Sequence, residues 1–75
     1  MNSNINDNAR ESATQCNKIA AWLSGGHTIT SLEALRRFNC MRLASRICDL
    51  RDRGLAINTR KVKTHTGKWV TEYYM

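Results

Sequence analysis

Three features of this sequence predict a mainly α fold closed by a C-terminal β-hairpin. Apolar residues recur at helical spacing in three segments before residue 54, and glycines punctuate the chain at Gly25, Gly26 and Gly54. Beyond Gly54 the spacing changes to a period of two on either side of Thr64-His65-Thr66-Gly67. The expected outcome is three helices plus a two- or three-stranded sheet.

The first helix is expected over about residues 13–24. Cys16, Ile19, Ala20 and Leu23 fall at i, i+3, i+4 and i+7, which makes one apolar stripe that Trp22 widens. Gly25-Gly26 ends it. Residues 1–12 are rich in Asn and Ser and hold little besides Ile5 to bury. They are expected to form a flexible tail, with the folded domain at residues 13–75.

His27-Thr28-Ile29 is β-branched and short enough for one small strand. Thr30 followed by Glu33 is a capping box, in which the hydroxyl accepts from the third amide and the carboxylate reaches back to the first. A second helix over about residues 31–38 would bury Leu32, Leu35 and Phe38 and leave Arg36 and Arg37 outside. Asn39 is the expected turn residue, because Asn tolerates positive φ. The third helix is expected over about residues 40–53, with Cys40, Leu43, Ile47 and Leu50 on its core face. Gly54 stops it, Leu55 supplies the apolar contact beyond, and Arg51 and Arg53 suit the helix dipole. Residues 56–63 and 68–74 then read as two strands around a basic turn. Phe38 and Trp69 are expected in the core, and only one of Tyr73 and Tyr74 can pack inward.

The net charge is +6, and its distribution matters more than its size. Residues 1–35 sum to −1, while residues 36–75 set ten Lys and Arg against Asp49, Asp52 and Glu72 for +7. A cationic half of this kind favours a polyanionic partner. Seventy-five residues leave little room for a catalytic cleft between layers, and no motif activates a nucleophile, so no enzyme is expected. Cys16, Cys40 and Cys48, with His27 and His65, lack the spacing of a zinc site, so neither metal nor cofactor is expected. An odd cysteine count, a polar N-terminus and no long apolar run point to the cytoplasm and away from membranes.

Two short helices joined by a tight turn, the second carrying Arg42, Arg46, Arg51 and Arg53, form a device for entering the major groove of duplex DNA. Met41, Arg42, Ser45 and Arg46 lie where base edges would be read. Arg46 has Asp49 at i+3 as a competing ion-pair partner, so Arg42 is the stronger candidate. Arg36 and Arg37 are placed for phosphate contacts that fix register. The hairpin adds Arg60, Lys61, Lys63 and Lys68, of which Lys63 and Lys68 flank the turn.

The element order is that of a winged helix. Ile29-Thr30-Ser31-Leu32-Glu33-Ala34-Leu35 and the run from Asn39 to Gly54 that contains Met-Arg-Leu-Ala-Ser-Arg-Ile-Cys-Asp-Leu-Arg resemble the small winged helix-turn-helix domains of phages and prophages. The similarity spans residues 16–75. It implies a DNA-binding fold and leaves the target open. The expected partner is double-stranded DNA, bound as a transcriptional regulator or recombination accessory factor, with a homodimer on repeated half-sites as one arrangement. The alternative partner is an acidic host protein captured on the same basic surface, and structured RNA is a weaker third reading.

Overall fold

The computed structural model of the chain describes residues 3–75, with side chains described from residue 13 onward. Its elements are α1 (Ser3–Ser24), β1 (Ile29–Thr30), α2 (Ser31–Phe38), α3 (Leu43–Asp52), β2 (Asn58–Lys63) and β3 (Trp69–Tyr74). This is the expected class, three helices with a C-terminal hairpin that β1 completes to a three-stranded sheet.

The backbone of α1 continues unbroken from Ser3, so no change of secondary structure marks the expected boundary near residue 13. The remainder of the expected tail, residues 1 and 2, lies outside the described residues. Cys16, Ile19 and Leu23 of α1 are buried as one stripe. The helix closes on Gly26, whose φ of 89° is the left-handed conformation. His27 N–H donates to the Trp22 carbonyl at 3.4 Å and Gly26 N–H to that of Leu23 at 3.0 Å, which satisfies two orphan acceptors.

The capping box is present: Glu33 N–H donates to Thr30 Oγ1 at 3.3 Å, and Thr30 N–H donates to Glu33 Oε1 at 3.0 Å. The buried face of α2 differs from expectation. Leu32 and Leu35 are 55% and 41% exposed, while Ala34 is fully buried and Phe38 packs at the core edge. Ala34 and Phe38 are themselves spaced i, i+4, so the same segment holds two possible apolar stripes. The small Ala34 side chain lets the α2 backbone approach the core closely.

Asn39 takes the left-handed conformation (φ 53°, ψ 36°) and ends α2 as expected. The next helix begins three residues later than the reading of residues 40–53. Cys40 is drawn directly into the core, 1% exposed, with its N–H on the Ala34 carbonyl at 3.1 Å. The chain must then cross outward before it can wind again. Arg42, the residue preceding α3, has non-helical angles (φ −123°, ψ 58°) and makes no side-chain cap. Met41 and Arg42 therefore belong to the turn and not to the helix.

Gly54 (φ 101°) closes α3, with Gly54 N–H on Arg51 O at 2.9 Å and Leu55 N–H on Leu50 O at 3.1 Å. The Arg51 guanidinium donates twice to the Ile57 carbonyl, at 3.1 and 2.8 Å, and so fixes the path into β2. The sheet order is β1-β3-β2, all antiparallel, with Ile29 opposite Tyr73 and Lys63 opposite Trp69. Tyr73 packs on the core beside buried Ile29. Trp69 does not: it is 65% exposed, at the last paired rung before the turn. Leu43, Ile47 and Leu50 complete the core from α3. Among the described residues, no helix is long and apolar enough to cross a membrane.

Candidate nucleic-acid interface

The outer side of the α2–turn–α3 unit is built by the locking of its inner side. With Cys40, Leu43, Ile47 and Leu50 buried, Met41, Arg42, Ser45, Cys48 and Asp52 are left on the surface. Met41 is 84% exposed, an expensive position for a large apolar side chain in water. The first-turn amides of α3 have no side-chain cap from Arg42, so that end of the helix is open to an anionic group.

Arg46 differs from its neighbours. Its side chain is only 17% exposed and its Nε lies 3.4 Å from Asp49 Oδ2, the i+3 pairing that competed with a base contact. The Cys16 thiol lies 4.0 Å from both Arg46 O and Asp49 Oδ2, so this pair sits on the seam between α1 and α3. Burial pushes the Cys16 thiol above its ordinary value. Asp49 and Cys40 add to this effect, while Arg53 and Arg46 oppose it. Cys40 is buried as well, and Cys48 is exposed on the outer face of α3.

Arg36 and Arg37, both exposed, end α2. Arg37 is not free to wander, because its guanidinium lies over the Trp22 ring at 4.4 Å. Trp22 is held in turn by a stacked His27 at 4.0 Å, by Phe38 edge-on at 6.1 Å, and by its own N–H on the Thr28 carbonyl at 2.9 Å.

The hairpin sorts its cations by strand alternation. Arg60 shares a face with Glu72 and Tyr74; it donates to Glu72 Oε1 at 2.8 Å and lies 4.8 Å over the Tyr74 ring. Glu72 also accepts from Thr28 Oγ1 at 3.0 Å. Lys61 and Lys63 share the other face with Thr71 and Trp69. Lys61 Nζ donates to Thr71 Oγ1 at 2.8 Å, and Lys63 Nζ stands 5.9 Å from the Trp69 ring centre. Lys68 is exposed at the end of the turn. The turn itself is braced by Thr64 N–H on Lys68 O at 2.7 Å and Gly67 N–H on Thr64 O at 2.9 Å.

Two cationic surfaces thus stand out from one core. One is the turn and leading end of α3, flanked by Arg36 and Arg37; the other is the hairpin face of Lys61 and Lys63, with Lys68 beside it at the end of the turn. Trp22 packs against the core as its place on the apolar stripe of α1 implied, whereas Trp69, expected in the core, is exposed. The signal for Trp69 was its place beside the turn and opposite a lysine. The partners of Trp22 come from two other segments, His27 and Thr28 in the loop and Arg37 and Phe38 at the end of α2, which spacing does not encode.

A family model described as a winged helix-turn-helix domain matches residues 14–75. No curated protein and no solved structure matches the chain.

Proposed function

Because the chain belongs to the winged helix-turn-helix domain family, we propose that it binds double-stranded DNA in a sequence-specific way, as a regulator or recombination accessory factor of the phage type. The observation that carries this reading is the exposure of Met41 and Arg42 in the turn and of Ser45 at the leading end of α3, a helix whose opposite face is locked in the core. That end enters the major groove, where an arginine reads guanine O6 and N7 as a pair of acceptors. Arg46, tied to Asp49, orients the helix and does not read bases. Arg36, Arg37, Lys61, Lys63 and Lys68 neutralise phosphates on either side and set the register. Arg60 contributes less, because Glu72 already answers its charge.

Selection of bound duplexes from a random library, at two salt concentrations, tests the proposal. A reproducible motif that survives the higher salt is the expected result. A pool that remains random while the protein stays bound would reduce the function to charge alone.

One observation favours a second reading, docking of another protein. Between α2 and the hairpin runs a groove of about 620 Å³ bordered by Leu32, Val62, Val70 and Tyr73. A stoichiometric protein captured from nuclease-treated lysate, with no duplex binding at low salt, would favour it over DNA recognition.

A further inference from the structure

The geometry points to Trp69 as a separate DNA contact, a flat apolar plate that lies against deoxyribose faces in the minor groove beside the segment read by α3. This rests on the reading of the protein as a duplex binder and adds to it a residue of different chemistry. Trp69 is 65% exposed on the hairpin, although the core had room for Tyr73 on the same face of the same strand. An indole this exposed offers a partner a large flat apolar surface to bury.

The chemistry around the ring identifies what covers it. From residue 53 to residue 71 the chain has no acidic side chain and carries Arg53, Arg60, Lys61, Lys63 and Lys68. Lys61 and Lys63 share the Trp69 face, and Lys68 precedes it. An occupant that is apolar at its centre and anionic along both margins suits this pattern, and the sugar walls of a minor groove bordered by phosphates have that character. The turn is held by the Thr64–Lys68 and Thr64–Gly67 backbone bonds and by Lys68 N–H on Thr64 Oγ1 at 3.1 Å, so the plate is presented without a large ordering cost.

Lys63 Nζ stands to one side of the ring, 5.9 Å from its centre, so a cation already borders the plate there. The proposed contact is lateral, against a groove wall between phosphates, and it leaves the duplex stacked.

The test uses the full chain and a duplex of about 20 base pairs carrying the selected motif, a length that exceeds one helical turn. Trp69→Ala is expected to weaken binding about tenfold, the equivalent of one aromatic contact. Its log–log salt slope stays that of the parent, because no phosphate contact is lost. Trp69→Phe, which keeps a flat apolar ring, stays within about threefold. Lys63→Ala, in contrast, makes the slope shallower by about one unit. Thermal melts of both Trp69 variants match the parent, since the exposed ring holds nothing in place.

Equal affinity of parent and Trp69→Ala for the duplex overturns the assignment while leaving duplex recognition intact. So does a loss confined to single strands, or a Trp69-dependent kink in a permuted-site gel assay, which marks a wedge. Failure of the parent to bind any duplex removes both readings together.

Discussion

Arg42 and Arg46 are four residues apart in the sequence and differ in what surrounds them. Arg42 stands exposed in the turn, while Arg46 is held against Asp49 at the α1–α3 seam. Arg42→Ala is expected to flatten preference among duplex sequences, by roughly 1–3 kcal/mol at the base it reads, and to leave the melting temperature unchanged. Arg46→Ala is expected to lower the melting temperature by a few degrees, about what a modest packing and ion-pair loss gives in a domain of this size. A competition assay across duplexes and a thermal melt separate the two; matching profiles for both variants would contradict the division of labour. Cys16 gives a pH prediction. Its thiol is protonated more firmly when folded than when unfolded, so its contribution is present in full below the ordinary value of 9.0 and is lost as pH rises through the higher folded value. Denaturant midpoints measured from about pH 8 to pH 10.5 should fall less steeply in Cys16→Ala than in the parent. The Arg46–Asp49 pairing was legible from i, i+3 spacing; that the Arg46 side chain would be only 17% exposed was not, since the proximity of α1 is not encoded in spacing.

At the level of elements, the signals that worked were local and stereochemical. Thr30 with Glu33, Asn39 at a left-handed turn and Gly54 with Leu55 each act within a few residues, and all three stand as read. The orientation of α2 was not legible in this way, because the stripe of Leu32 and Leu35 and the stripe of Ala34 and Phe38 are equally helical. The close approach of α2 to the core selected the smaller residue. Ala34→Leu is accordingly expected to destabilise by about 1–3 kcal/mol through overpacking, whereas Leu32→Ala stays within about 0.5 kcal/mol, as surface substitutions do. Urea melts decide between them, and the reverse order would restore the stripe first expected. The start of α3 was misjudged for a related reason: neither Met41 nor Arg42 can cap, and Cys40 is committed to the core. The turn gained three residues, and the two foremost candidate readers, Met41 and Arg42, sit on it.

For the molecule as a whole, the charge division of −1 and +7 becomes two cationic surfaces on one core. If α2, the turn and the hairpin meet DNA as proposed, they would neutralise roughly 4–6 phosphates, and the slope of log affinity against log salt is then expected near −4 to −5. Titrations at several salt concentrations measure it, and a slope close to zero would leave the basic half without a polyanion to explain it. The hairpin's two strands were legible from alternation, but the exposure of Trp69 was not, since the rung it occupies is set by pairing and not by composition. Glu72 has a consequence at this scale. It accepts from Thr28 and Arg60, and it lies opposite Thr30, the residue that starts α2. A pull on the wing tip is thus delivered through one rigid joint to the base of the helix pair. Among the described residues one side chain ties the wing to the start of α2, and if hairpin and α3 both meet DNA as proposed, grip by the wing and seating of α3 are expected to be coupled.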